Sequence, residues 1–219
     1  MTHPLTIICT SCDRFDLLER TLDSFFALNK YPYFAFHIHN DSVNGIPMAI
    51  IQKYSDKNIT WHSGTKRGLS ASWDYLVGLV ETEYFFSIEE DWLFDGNPNF
   101  IEDSICILDN CDHIDQVWIR FENDHLHPLD KCFVHGIYRT KNSSIDFYDV
   151  DHVKDWCGFT FNPSVRKLSK WKAWFPEGIA GKDEIDLSRQ LYFGYIAVSL
   201  ANSSIRHIGG GRHSNNFKI

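Results

Sequence analysis

Apolar and polar positions in the first half of the chain fall into a repeating order of short strand-like runs and amphipathic helical stretches. Leu5-Thr6-Ile7-Ile8-Cys9-Thr10 has the length and composition of a buried strand, and it breaks into Ser11-Cys12-Asp13-Arg14. Leu18, Leu22, Phe25 and Phe26 then recur at i, i+4, i+7 and i+8, which predicts a helix. Phe34 to His39 alternates and ends in Asn40-Asp41-Ser42, a second strand with a polar terminus, and Ile59-Thr60-Trp61-His62 is a third. After Gly64-Thr65-Lys66-Arg67-Gly68, a second helical face is marked by Leu69, Trp73, Leu76, Val77 and Val80. The strand predicted over 84–91 runs from Tyr84-Phe85-Phe86-Ser87-Ile88 straight into Glu89-Glu90-Asp91, with Trp92-Leu93-Phe94 behind it.

The second half is less regular. Phe100 to Leu108 reads as a helix with Ile101, Ile105 and Leu108 on one face, and Val117 to Phe121 reads as a strand. Residues 122–155 are rich in His, Asp and Asn and predict a long loop or hairpin over a site. A further strand is expected over 155–163, and Gly181-Lys182-Asp183-Glu184-Ile185-Asp186-Leu187 opens a helix running to about Tyr192. Alternating strands and helices with polar strand ends predict an α/β fold, a mostly parallel central sheet flanked by helices, in one domain over 1–219. Ligands of such sheets bind outside the carboxyl ends of the strands. That geometry gathers Thr10 to Arg14, Asn40-Asp41, Lys66-Arg67-Gly68 and Glu89 to Asp91.

Composition narrows the choices. With 219 residues, 43% hydrophobic and 15% aromatic, the chain is long and apolar enough for a sizeable core. Its 21 basic and 29 acidic residues give a formal charge of −8, which argues against a nucleic-acid partner. Phosphates on a substrate would need a metal or a local Arg/Lys cluster. The apolar runs fall short of a membrane span, and Met1 to Pro4 leads into a strand rather than a signal peptide, so a cytoplasmic protein without a transmembrane segment is expected. The cysteines at 9, 12, 106, 111, 132 and 157 include one Cys-x-x-Cys but no second one to complete a zinc site, and free thiols are expected. His125, His127 and His135 are scattered loop histidines, read as solvated.

The acid run carries the chemistry. A solvated turn is seldom set between Phe-Phe-Ser-Ile and Trp-Leu-Phe, and three adjacent carboxylates repel one another unless a cation offsets them. A divalent metal, Mn2+ or Mg2+, is therefore expected at this strand end. No Gly-x-Gly-x-x-Gly or Gly-x-x-x-x-Gly-Lys-Ser/Thr motif supports a dinucleotide or P-loop reading.

With these residues in view, the chain resembles the nucleotide-sugar-dependent glycosyltransferases of the GT-A fold, in particular the family 2-like group, almost end to end. Ile7 to Ser24 resembles that family's first strand, turn and helix, and Arg67-Gly68-Leu69-Ser70-Ala71-Ser72 its glycine-containing turn. Glu89-Glu90-Asp91 stands where the family has Asp-x-Asp, and Asp183-Glu184-Ile185-Asp186-Leu187 resembles its Glu-Asp-x-Asp-Leu segment, with the acid pair inverted. The resemblance implies a Rossmann-like nucleotide-sugar-binding half over 1–95 and an acceptor-binding half over 96–219. It further implies a nucleotide-sugar donor, with uridine diphosphate expected, and a carbohydrate or other hydroxyl acceptor. Thr10, Arg14, Asp41, Arg67, Gly68, Glu89 and Glu90 would contact the donor, and Asp91 would hold the metal, joined by His213 of the tail. The catalytic base would be Glu184 or its neighbour Asp183, although acids at a helix start also simply favour its dipole. Trp92, Trp156 and Phe159 offer flat faces for sugar stacking, against which isolated aromatics are more often core.

Two other classes compete: a nucleotidyltransferase acting on sugar phosphates, and a non-catalytic carbohydrate-binding domain. The first normally carries a glycine-rich basic loop after the first strand, where this chain has Ser11-Cys12-Asp13-Arg14.

Overall fold

A computed structural model describes residues 3–33, 35–120, 133–140, 143–150, 157–202 and 204–210, with backbone alone at 133–140, 143, 144 and 148–150. The elements follow one another as β1 (Leu5–Ser11), α1 (Phe15–Leu28), β2 (Ala35–Asn40), α2 (Met48–Lys53), β3 (Ile59–His62), α3 (Leu69–Val77), β4 (Tyr84–Glu89) and β5 (Trp92–Phe94). They continue with α4 (Phe100–Asn110), β6 (Gln116–Trp118), β7 (Phe133–Thr140), β8 (Ser143–Val150), β9 (Ser164–Lys167), α5 (Leu168–Trp174), α6 (Glu184–Leu191), β10 (Ala197–Leu200) and β11 (Ile205–His207).

One nine-stranded sheet has the order β3-β2-β1-β4-β9-β6-β10-β8-β7, and β5 pairs with β11 in a separate ribbon. β3, β2, β1 and β4 are mutually parallel, as are β6 and β10, while β9 is inserted antiparallel between β4 and β6. The β7–β8 hairpin falls within the segment expected to be a loop or hairpin. The expected strand over 155–163 is displaced. Residues 157–163 are irregular and the strand starts after Pro163, because Gly158, at φ 85°, breaks the extended backbone.

The sheet is apolar on both faces, which explains why β1 and β4 read as continuous hydrophobic runs. Leu5, Ile7 and Cys9 of β1 and Tyr84, Phe86 and Ile88 of β4 enter one core, together with Leu18, Leu22 and Phe25 of α1 and Phe100, Ile101 and Leu108 of α4. Ile8 and Phe85 point the other way, toward Trp73 and Leu76 of α3, Trp171 of α5 and Leu187 and Leu191 of α6. Phe25 is fully buried at the centre of the first core, with its ring against Phe26, Phe36, Phe86 and Phe94. No disulfide links the described cysteines, and no helix among the described residues is long and apolar enough to cross a membrane.

Replacing Phe25 with Ala removes a ring packed on four others, and the expected loss is about 3–5 kcal/mol of unfolding free energy. Urea denaturation followed by circular dichroism checks this; an unshifted midpoint would contradict the packing described.

Candidate functional site at the carboxyl ends of the strands

The ends of β1, β2 and β4 meet where parallel register demands. Thr10 of β1 lies between His39 of β2 and Glu89 of β4. The turn after β1 is shaped by Asp13, the one described non-glycine residue with positive φ, at 56°. Its backbone N–H donates to Asn40 Oδ1 at 2.9 Å, and its carboxylate accepts from Asn40 Nδ2, Ser42 Oγ and Asn44 Nδ2 at 3.0, 2.7 and 3.1 Å. Burial would raise the Asp13 carboxyl, but these hydrogen bonds outweigh it and hold the pKa below its ordinary value.

Asp41 continues this join. Its Oδ1 accepts the backbone N–H of Arg67 at 2.5 Å and that of Gly68 at 3.1 Å, and Oδ2 also accepts from Gly68 at 3.1 Å. Gly68 sits at φ 84°, which only glycine adopts without strain, and it opens α3. Arg67 turns back over the Tyr75 ring, 4.5 Å from its centroid. The fold thus brings Thr10, Asp41, Arg67 and Gly68 to one edge. Thr10 Oγ1 is buried there without a hydrogen-bond partner among the described residues.

The three acids diverge sharply. Glu90 is buried, and its Oε1 accepts from Arg14 Nε at 2.7 Å and from the Cys12 N–H at 3.0 Å. It therefore braces the β1 turn. Burial raises its pKa, and the Arg14 charge offsets part of the rise. Asp91, also buried, pairs its Oδ2 with Arg14 Nη1 at 2.8 Å and with His207 Nε2 at 3.1 Å. Burial again pushes upward, but the His207 hydrogen bond and the Arg14 charge prevail and hold Asp91 below the ordinary aspartate range. Glu89 has neither partner. Burial, and after it the charges of Asp91, Glu90 and Glu184, push its carboxyl well above the ordinary value.

His207 reaches Asp91 because β11 pairs antiparallel with β5, setting His207 opposite Trp92, and the Ile208 N–H donates to the Asp91 carbonyl at 2.8 Å. A Cβ at Gly209 would collide with Asp91 Oδ2 and lie 2.8 Å from His207 Nε2, so the close approach needs glycine. His213, the expected tail ligand, lies outside the described residues, as does Trp156. Sequence reasoning singled out His213 of the tail and missed His207, because the pairing of β11 with β5 that brings it to Asp91 leaves no local pattern. The stacking role expected of Trp92 does not fit its surroundings. The indole is 1% exposed, with the His207 ring 5.1 Å away and Arg120 5.4 Å over its ring, so no face is open to a sugar. Phe159 is likewise fully buried.

The inverted acid pair separates into two environments. Asp183 is exposed and caps α6, its Oδ1 accepting the Asp186 N–H at 2.8 Å. Glu184 turns inward, and its Oε1 accepts from Thr160 Oγ1 at 2.8 Å and from the Phe161 N–H at 2.6 Å. Oε2 makes no hydrogen bond among the described residues. Burial raises the Glu184 pKa; the Phe161 and Thr160 hydrogen bonds and the Arg166 charge offset part of it. Arg166 is fully buried, donating from Nη1 to Ser87 Oγ and from Nη2 to the Thr160 carbonyl, with Trp73, Trp171 and Phe159 around its guanidinium.

No protein-family model and no curated protein sequence matches the chain. Solved structures do. The mannosyltransferase PcManGT from Pyrobaculum calidifontis, in complex with GDP-Man and Mn2+, superposes at TM-score 0.65 and 16% identity over 97% of this chain and 59% of that one. S. aureus TarS 1-349 matches at TM-score 0.62 and 15% identity over 94% and 60%. The same protein in complex with UDP-GlcNAc matches at 0.61 and 13% over 93% and 58%. This chain spans about three fifths of the length of these neighbours. The fold of the chain is the GT-A fold of those glycosyltransferases.

Proposed function

We propose that the protein is an inverting glycosyltransferase that moves a sugar from a nucleoside-diphosphate donor to a hydroxyl acceptor. The observation that carries this reading is Glu184, a half-buried carboxylate held by one oxygen while the other has no hydrogen bond among the described residues, its charge adding to the upward push on the Glu89 carboxyl. A general base works best with a pKa raised toward the working pH, which burial supplies here. In this reading Glu184 takes the proton from the acceptor hydroxyl while the hydroxyl oxygen attacks the anomeric carbon. The bond from that carbon to the diphosphate breaks on the opposite face, and the configuration inverts. Asp183 keeps the cap of α6 rather than sharing the proton.

The edge formed by Thr10, Asp41, Arg67 and Gly68 takes the nucleoside, and Glu89 lies toward the ribose and sugar. A uridine diphosphate sugar is the proposed donor, the nucleotide found with TarS in its UDP-GlcNAc complex. Glu90 and Arg14 serve the donor indirectly, by holding the β1 turn and Asp91.

Asp91 and His207 are the described residues that would hold a divalent cation, Mn2+ or Mg2+. Their carboxylate oxygen and imidazole nitrogen lie 3.1 Å apart, a spacing that two ligands of one ion at roughly 2.1 Å also have. A hard carboxylate and a borderline imidazole would fill two coordination positions and leave the others to phosphate oxygens and water, and such a cation would offset charge building on the leaving diphosphate. Arg14 competes for the same Asp91 oxygen, and a second reading follows from that contact: Arg14 supplies the positive charge itself, with His207 hydrogen-bonded to the same carboxylate. The remaining classes fit less well. The β1 turn has no glycine for a nucleotidyltransferase loop, and Trp92 and Phe159, the described aromatics that a carbohydrate-binding module would present, are buried.

Glu184→Gln should lower transfer by roughly two to four orders of magnitude with donor affinity unchanged. The wild-type rate should rise with pH along a limb whose midpoint lies above the ordinary glutamate value of 4.5, since the base must be ionised and its pKa is raised. The same variant should be the more stable protein at neutral pH, because burying a charged Glu184 costs stability above its folded pKa. That advantage should vanish well below pH 4.5, where the carboxyl is protonated both folded and unfolded. A Glu184→Gln enzyme with full transfer, or a product of retained configuration, contradicts the assignment.

Asp91→Asn and His207→Ala should each abolish chelator-sensitive transfer. Turnover that survives chelator while His207→Ala is inactive selects the Arg14 and His207 reading instead.

A further inference from the structure

Three successive backbone amides ahead of α6 are turned toward two side chains of the donor-side helix. Asp74 Oδ1 and Oδ2 accept the Ile179 N–H at 2.9 and 2.8 Å, and Oδ2 also accepts the Ala180 N–H at 2.7 Å. One helical turn earlier on the same face, Ser70 Oγ accepts the Gly181 N–H at 3.0 Å. The loop folds onto this face through Gly178, at φ 76°, where a Cβ would sit 2.6 Å from Asp74 Oδ2. The Lys182 N–H donates to the Ile179 carbonyl at 3.1 Å and closes the turn. Asp183 and Glu184 follow directly.

These contacts are not what holds α3 in place. Trp73, Leu76 and Val77 do that by packing in the core, and residues 70 and 74 are left to face the loop. A carboxylate that receives several backbone N–H groups fixes their positions with charge-assisted hydrogen bonds stronger than neutral ones. The same helix begins at Gly68, whose amide Asp41 holds. A continuous set of contacts therefore runs from Asp41 through α3 to the loop that carries Glu184.

We propose that Asp74 is a positioning residue for the general base: it locks residues 178–181 onto α3 and so fixes Glu184 relative to the nucleoside edge. The proposal rests on the reading of Glu184 as the base. A small displacement of a catalytic group by a change remote from the chemistry can cost about 100-fold in rate. Asp74→Asn puts an amide N–H where backbone N–H groups converge, and it should lower kcat for transfer by about that factor. KM for the donor and donor affinity by calorimetry should not change.

The decisive measurement is the cycle of Asp74→Asn with Glu184→Gln. If Asp74 acts through Glu184, the double variant transfers no more slowly than Glu184→Gln alone. A double variant slower by the product of the two single losses overturns the proposal, as does an Asp74→Asn loss carried by weaker donor binding. Should Asp74→Asn fail to fold, Ser70→Ala removes the Gly181 contact alone. A partial loss of kcat that disappears in the Glu184→Gln background supports the proposal, and unchanged kcat overturns it. Full transfer by Glu184→Gln overturns the base assignment and the proposal with it, whereas a slow Glu184→Gln beside a full-speed Asp74→Asn overturns the proposal alone.

Discussion

Three consecutive carboxylates at the end of a buried strand must each find a different solution to the same repulsion, and much of the site follows from how they do. Glu90 and Asp91 share Arg14, so the turn after β1 has to come close to the end of β4. That closeness is reinforced by the Thr21 hydroxyl, which donates to the Glu90 carbonyl at 2.6 Å and accepts the Trp92 N–H at 3.1 Å. Asp91 needs a second partner, and the β5–β11 ribbon brings His207 to it. Glu89 is left without a counter-charge, and burial together with the charges of Asp91, Glu90 and Glu184 favours its protonated form.

The edge at the ends of β1 and β2 is built from carboxylates that accept from neighbouring turns, Asp13 from side chains and Asp41 from backbone N–H groups. Asp13 and Asp41 both spend their carboxylate oxygens on neighbouring turns, joining the β1 turn to the end of β2 and the end of β2 to the start of α3. These are charge-assisted bonds in partly buried surroundings, where they are stronger than at an exposed surface. The positive φ of Asp13 is sustained by four hydrogen bonds around one residue. A rigid edge of this kind preserves its shape without a ligand, which lowers the ordering cost of binding.

The opposite wall depends on a buried cation. Arg166 sits among Trp73, Phe159 and Trp171 and shares the Thr160 residue with Glu184. Burial lowers the Arg166 pKa, and the nearby Glu184 charge opposes that shift. The buried guanidinium and the half-buried carboxylate are linked through one threonine, and each charge offsets part of what burial costs the other. Buried charges of this kind cost stability unless they are paired and hydrogen-bonded.

Sequence periodicity determined the first half of this protein almost completely. β1, α1, β2, β3, α3 and β4 are long or apolar enough that pattern alone locates them, and the polar strand ends mark the edge of the sheet where Thr10, Asp41 and Glu89 lie. It did not reach α2 and α5, of six and seven residues, or β5, β10 and β11, of three or four, because a period cannot establish itself over so few positions, and it found β6 only in part, as a strand over Val117 to Phe121 where the element is Gln116–Trp118. Local order likewise named Glu89, Asp91 and Glu184 as chemically meaningful, but it could not assign partners, since partners are set by pairings between distant segments. His207 meets Asp91 across 116 positions, Asp74 meets the 179–180 amides across more than a hundred, and Asp183 becomes a cap while Glu184 turns inward to Thr160 and Phe161 through one helical step. Residue type and spacing determined which groups this chain has to offer; antiparallel pairing of β11 with β5 and the docking of residues 178–181 on α3 decided which of them meet.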